Sequence, residues 1–406
     1  MRAGIEDLGI YAGSAFIDVG ELADARGLDT QRMQNLLMRE KTVALPFEDA
    51  ISFAVNAAKP LVDRLAADER ERIEQLIVAS ESGVDFGKPL ASYVHHYLGL
   101  GRNCRTFEVK HACYGGTAAV QMAAAHVHSG VSPGSRSLVI TTDAARPIPH
   151  TYAEPSQGAA AVALLIGEEP RLLEIEKGRS GCYGFEVMDS CRPTPEIETG
   201  DADLSLLTYL ECIENSFLAY RGRVPEARFA EFFDYLAFHT PFGGMVKGAH
   251  RTMMRKFERV PPAVVEEDFR RRLEPSLRYC ARVGNVYSGT IFLALAGVLE
   301  SATFNGTPKR VGLFSYGSGC CSEFYSGLAT AESQRQVARM ALGAHLDARH
   351  KLSIADYDSI LEKHRKLPFG TRDGAPDGGD FHRHVQGGGL LVLHAIRSYH
   401  REYRWS

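Results

Sequence analysis

The sequence predicts an α/β protein, and three observations carry that expectation. Short apolar runs at 76–80 (LIVAS), 137–142 (SLVITT), 159–166 (AAAVALLI) and 311–315 (VGLFS) have the length and composition of buried strands. Longer helical patterns lie among them, at 60–75, 117–128, 209–220 and 291–303. No tandem repeat and no low-complexity linker interrupts this alternation.

In chain order, strand 76–80 runs into Glu81-Ser82-Gly83, which sets a carboxylate at a strand end ahead of a turn. The helix at 117–128 is rich in alanine and follows Gly115 and Gly116. Strand 159–166 closes on Gly167-Glu168-Glu169-Pro170, a turn signal that marks a joint between an N-terminal half, 1–168, and a C-terminal half, 169–406. The halves echo each other: strand, cysteine turn and small-residue helix in the first, helix, strand and the turn Tyr316-Gly317-Ser318-Gly319 in the second. The segment 189–204, with Pro193, Pro195, Gly200 and several acids, reads as a surface loop over a site.

Composition narrows the function. The chain has 406 residues, 45% hydrophobic and 24% charged, which fits a globular protein large enough for two domains. Its 46 basic and 50 acidic residues leave a net charge of −4, so no sequence-wide field attracts nucleic acid or an anionic membrane. The start, MRAGIEDLGIYAG, carries acids where a secretion signal needs an apolar core, and no run of about 18 apolar residues occurs, so a cytoplasmic protein is expected. Eight cysteines without a CxxC pair do not make a disulfide scaffold. The adjacent His95 and His96 would point apart on a helix, and no metal site is expected. Gly317-Ser318-Gly319 is a fragment of a dinucleotide fingerprint, but Ser322 stands where the later glycine is required, which rejects NAD binding.

Three residues stand out as candidates for catalysis. Cys113, in Ala112-Cys113-Tyr114-Gly115-Gly116-Thr117, precedes a helix whose unsatisfied N–H groups and dipole favour a thiolate, while the glycines leave room for an acyl group. The window alone reads equally well as a buried cysteine ahead of a packing helix. Glu81, in a partly dry pocket, would gain a raised pKa and serve as a base, although a helix-capping acid is the plainer reading. His239, between Phe238 and Thr240-Pro241-Phe242, is an oriented imidazole that could polarise a carbonyl or could be a satisfied core histidine. The turns at Asn285 and at Gly317-Ser318 expose donors suited to a thioester oxygen as it gains charge.

Taken together and in this order, these windows resemble the 3-hydroxy-3-methylglutaryl-CoA synthase family of the thiolase superfamily. The resemblance runs from GIEDL at 4–8 and ARGLD at 25–29 through the glutamate and ACYGGT segments to HTPF, GNVYSG and SYGSG, nearly the whole chain. It implies a five-layered αβαβα fold of two related halves, a homodimer, and no metal or redox cofactor. It also implies roles: Cys113 takes an acetyl group, Glu81 removes a proton from the acetyl methyl, and His239 polarises the acceptor's β-carbonyl. Asn285, Ser318, Gly317, Asp143 and Asp189 match the family's substrate-binding positions.

Within the family, primary-metabolic members follow the histidine motif with Cys-Lys, the lysine holding CoA phosphates, where this chain has Gly243-Gly244. The Asp143-Ala144-Ala145 segment departs too. Stretches at 35–38, 40–46, 55–60 and 394–403 instead look like the branch that installs β-alkyl groups in polyketide pathways. That branch implies a donor acetyl-acyl carrier protein, an acceptor β-ketoacyl carrier protein and downstream enoyl-CoA hydratase-like enzymes. Acidic carrier proteins call for a basic patch, for which Arg26, Arg32, Arg39, Arg221 and Arg223 are available. The alternative is a CoA-dependent synthase of mevalonate metabolism.

Overall fold

The computed structural model describes residues 2–195, 197–385 and 388–406. Its backbone is organised by one mixed sheet of nine strands. From one edge inward run Arg105–Val109, Ile73–Ala79, Arg136–Ala144, Ala159–Gly167 and Gly4–Tyr11; Leu173–Gly184, Cys321–Ala329, Lys309–Gly317 and Tyr235–Phe238 continue to the other edge. The two groups join where Gly4 pairs with Glu174 and Ile5 with Leu173. In the first group the outer three strands are parallel and Ala159–Gly167 is antiparallel to both neighbours. In the second, only Tyr235–Phe238 and Lys309–Gly317 are parallel.

Burial sorts the helices into layers. Gly115–Ser129 and Thr290–Ser301 share one apolar core with the inner faces of both strand groups, through residues such as Val120, Ile77, Phe292 and Leu313. Ala50–Asp63 and Leu90–Leu98 cover the outer face of the first group, and Ala202–Arg223 with Gly243–Phe257 cover the outer face of the second. The result is the expected αβαβα order of five layers. The two central helices approach at their starts because Gly116 has no side chain: a Cβ there would lie 2.6 Å from the Ser288 carbonyl oxygen.

The joint at 168/169 falls in the turn between Ala159–Gly167 and Leu173–Gly184. The chain beyond residue 350 returns to the first half. Helix Ile354–Arg365 packs on Ile17, Leu22 and Val43, and the hairpin Leu391–Arg397/His400–Trp405 packs under helix Ala50–Asp63, where Arg401 and Tyr403 both donate to Asp49 Oδ2 at 2.9 and 2.7 Å.

One expected helix is corrected. Residues 60–75 contain the end of Ala50–Asp63, a short helix Ala67–Glu71 and the start of strand Ile73–Ala79. The helix begins earlier because Asp49 caps it: its Oδ1 accepts from the N–H groups of Ile51 and Ser52 at 3.1 and 3.0 Å, and Ser52 reciprocates at the Asp49 N–H. Pro60 therefore sits inside the helix, not at its start. Among the described residues, no helix is long and apolar enough to cross a membrane.

Candidate active site

Parallel strands Ile73–Ala79 and Arg105–Val109 end side by side, and the chain leaving each carries one reactive group. Glu81 follows the first strand by two residues; Cys113 lies in the turn after the second, two residues before helix Gly115–Ser129. Ala112 is held in the left-handed region, φ 38°, a strained conformation for a residue with a Cβ and one that recurs where a turn presents a functional side chain. The Cys113 thiol donates to Glu81 Oε1 at 3.9 Å.

The expected thiolate is corrected here. Burial pushes the Cys113 thiol well above its ordinary range, and the Glu81 and Asp143 carboxylates push it further. The helix begins two residues beyond Cys113, so its positive end is the weaker influence. At rest the sulfur is a neutral thiol whose proton faces a carboxylate. Burial likewise raises Glu81 from 4.5 to about 7, with Arg192 opposing the shift and Glu198 adding to it. A carboxyl group at that value both accepts and returns protons near neutral pH.

Asp143, at the end of strand Arg136–Ala144, acts on the backbone that carries Glu81. Its Oδ1 accepts from the Ser80 hydroxyl, the Glu81 N–H and the Ser82 hydroxyl at 3.1, 3.0 and 2.8 Å. Burial and the Glu81 charge raise its own pKa well above the carboxylate range.

The second half meets this turn at Gly317. A Cβ on Gly317 would lie 2.6 Å from the Tyr114 nitrogen and 2.7 Å from the His111 oxygen, so only glycine lets strand Lys309–Gly317 close on the Cys113 turn. Asp189 ties the following residues down, accepting from the Tyr316 hydroxyl and, at 3.0 Å, from the Gly319 N–H, while Ser318 hydrogen bonds the same tyrosine. Asn285 Oδ1 accepts from the Tyr287 N–H and the Thr290 hydroxyl at 2.9 and 3.0 Å, which fixes the entry to the second central helix.

His239 follows strand Tyr235–Phe238 and is fully buried. Its N–H donates to the Phe314 carbonyl at 2.8 Å and its carbonyl accepts from the Tyr209 hydroxyl at 2.7 Å. Nδ1 is buried without a hydrogen-bond partner, and burial lowers the imidazole to about 3, so the ring is neutral. Among the described residues no hydrogen bond or ion pair joins His239 to Cys113 or Glu81. The connection runs through strand Lys309–Gly317, which holds His239 at Phe314 and abuts the Cys113 turn at Gly317.

Two residues of the site, Arg192 and Glu198, carry no role in the sequence analysis. The segment 189–204 is not a bare loop: it forms the hairpin Ser190–Thr194/Ile197–Gly200 and the start of helix Ala202–Arg223, with Glu196 outside the described residues. Arg192 on that hairpin places Nη1 3.6 Å from Glu81 Oε2, and its Nη2 donates to Glu198 Oε2 and to the Tyr287 hydroxyl, both at 2.8 Å. The available signal was an arginine beside a proline in a segment already assigned to cover the site. A small pocket opens beside Glu81, walled by Arg192, Glu48, Asp49, Arg146, Phe369 and Arg401.

Fold and site together define a condensing acyltransferase. Residues 1–171 match the model described as hydroxymethylglutaryl-coenzyme A synthase N terminal, and residues 251–377 match its C-terminal counterpart. The chain is 51% identical, over 100% of its length and 99% of the relative's, to the polyketide biosynthesis 3-hydroxy-3-methylglutaryl-ACP synthase PksG of Bacillus subtilis. It is 34% identical to the hydroxymethylglutaryl-CoA synthase of Enterococcus faecalis, over 89% of this chain and 92% of that one. The crystal structure of the curacin biosynthetic pathway HMG synthase in complex with holo donor-ACP superposes with a TM-score of 0.97 at 50% identity, covering 100% of both chains. The chain belongs to the hydroxymethylglutaryl-CoA synthase family.

Proposed function

We propose that the protein is the 3-hydroxy-3-methylglutaryl synthase of a polyketide β-branching pathway, working between acyl carrier proteins. The observation that carries the chemistry is the Cys113 thiol donating to Glu81 Oε1 at 3.9 Å. Cys113 Sγ attacks the carbonyl of an acetyl thioester as its proton passes to Glu81, and the carrier's phosphopantetheine thiol leaves with a proton. Glu81 then takes a proton from the methyl of acetyl-Cys113. The enolate attacks the β-carbonyl of the acceptor, polarised by neutral His239, and the new alkoxide is protonated. Water cleaves the enzyme thioester, freeing a carboxymethyl arm and restoring the thiol. Donors on the Asn285 and Gly317-Ser318 turns stabilise the thioester oxygen, Asp189 holds the Gly317-Ser318 turn and Asp143 the Glu81 turn. Covalent capture makes the carbon–carbon step intramolecular, an advantage of roughly 7–11 kcal/mol in favourable cases. This cycle needs no metal or redox cofactor.

Packing beside the histidine motif supports the branch. A Cβ at Gly244 would lie 1.9 Å from the Asn35 carbonyl oxygen, and one at Gly243 would lie 2.8 Å from Leu37 Cβ. The segment at 35–37 thus fills the space that a Cys-Lys pair would need, and the lysine that grips CoA phosphates has no room. Arg32 and Arg39 flank that segment and are exposed, which suits an acidic carrier protein. Arg26 is excluded from such a patch: its side chain is buried in an ion pair with Glu154. Arg221 is half-buried with its guanidinium 5.9 Å from the Phe257 ring, and Arg223 is exposed beside Ser180.

The outer edge of strand Arg105–Val109 suits pairing with a second copy, which supports a homodimer. The product passes to enoyl-CoA hydratase-like enzymes. The test incubates the protein with acetyl-carrier protein and acetoacetyl-carrier protein and follows the acceptor's mass. Gain of the carboxymethyl arm, with the intermediate absent in Cys113→Ala, is expected; turnover of CoA thioesters alone would assign the protein to mevalonate metabolism.

A further inference from the structure

The hairpin Ser190–Thr194/Ile197–Gly200 puts a cation against the proposed base, and the site's chemistry does not explain why that cation is itself so firmly held. Arg192 reaches Glu81 through Nη1 at 3.6 Å. Its other amino group, Nη2, donates at 2.8 Å to Glu198 and to the Tyr287 hydroxyl, and the guanidinium lies 4.8 Å from the Tyr287 ring. Glu198 is fixed in turn, both its oxygens accepting from Gln157 Nε2 at 3.0 and 2.9 Å. Tyr287 has a left-handed backbone, φ 51°. Three chain segments therefore converge on one guanidinium.

We propose that Arg192 is a positioning residue that holds the Glu81 carboxylate over acetylated Cys113, and that Glu198 anchors Arg192 independently of the charge on Glu81. The inference rests on the reaction proposed above. During that cycle Glu81 alternates between carboxylate and carboxylic acid, and each protonation removes the attraction that would otherwise keep Arg192 beside it. A guanidinium held only by Glu81 would be released at that moment. Tethered through its second amino group to Glu198, it stays in register and meets the carboxylate when the charge returns. The arrangement also sets two opposed fields on Glu81, attraction from Arg192 and repulsion from Glu198.

Other charged groups face Glu81 as well. Cys113 and Asp143 adjoin it, and across the cavity stand Glu48, Asp49, Arg146, His364 and Arg401. Burial raises Glu48 to about 7, so its titration overlaps that of Glu81. The test must separate Glu81 from this background, and substitutions of opposite sign do so.

The experiment loads Cys113 from acetyl-carrier protein or acetyl-CoA and follows deuterium uptake by the acetyl methyl in D2O, by intact mass, across pH. Exchange in the unsubstituted protein rises as Glu81 loses its proton. Arg192→Gln removes the attraction and moves the midpoint up by about one pH unit or more, and Glu198→Gln moves it down. Arg192→Lys keeps the charge without the planar fork, so its midpoint stays near the original while the exchange rate falls. Coincident profiles, or shifts in the same direction, would overturn the proposal. Should Arg192→Gln fail to fold, Glu198→Gln decides, since it keeps the size of the original and one acceptor oxygen for Arg192 Nη2. An unsubstituted protein that takes no acetyl group or exchanges no proton would sink the proposed reaction itself.

Discussion

At Glu81 a single carboxyl group borders both the nucleophile and the methyl group that nucleophile would carry. Glu81→Ala removes the base without removing the sulfur, so acetyl-Cys113 should still form, more slowly, while condensation falls by about 10²–10⁴-fold. Intact mass reads the first step and product formation the second. Because burial holds Glu81 at about 7, condensation should rise with pH through that value as the carboxylate appears. A profile rising instead near the ordinary carboxylate value would show that the group is not buried in solution. Glu81 stood out as a candidate because it follows an apolar strand, Cys113 because glycines and a helix start follow it, and His239 because aromatic residues and a proline flank it. Arg192 did not: its meaning lies in Glu81, and nothing local on the hairpin names that partner.

Secondary structure was read best where one physical signal dominates. Strand Ala159–Gly167, buried along its whole length, differs by one residue from the run at 159–166, and helix Gly115–Ser129 brackets 117–128. Strand Gly4–Tyr11 went unseen because its acids hide its burial. Glu6 is buried there through an ion pair with Arg136 at 2.8 Å, a compensation from a distant strand that no periodicity contains. The same limit explains the helix placed at 60–75, where Pro60 resembles a helix start and the true cap at Asp49 was overlooked. Contact between the central helices depends on Gly116, which touches Ser288 and Thr141. Gly116→Ala should cost about 1–3 kcal/mol by forcing those elements apart. Denaturant unfolding measures it, and an unchanged midpoint would mean that the helices separate freely.

The whole molecule is held by contacts between remote parts of the sequence. Glu154, fully buried, receives Arg26 from the N-terminal region at 3.1 Å; its carbonyl receives Lys41 at 2.5 Å; and Tyr357 and Asp358 of helix Ile354–Arg365 complete the group. Removing the Glu154 carboxylate leaves the buried Arg26 paired with Asp358 and strips the acceptor from the His150 N–H. Glu154→Ala should therefore lower stability by about 1–3 kcal/mol in equilibrium unfolding, and an unchanged midpoint would show that the group is solvated. The echoing turns suggest two halves in the sequence; the return of the chain beyond residue 350 to the first half has no such signal, since its anchors are single polar groups and not a pattern. That return has a temporal meaning. Arg401, which walls the cavity beside Glu81, is synthesised hundreds of residues after the nucleophile. A growing polypeptide on the ribosome would own its reactive sulfur for most of its elongation yet lack a finished chamber, so premature termination would yield a thiol without a vessel to work in.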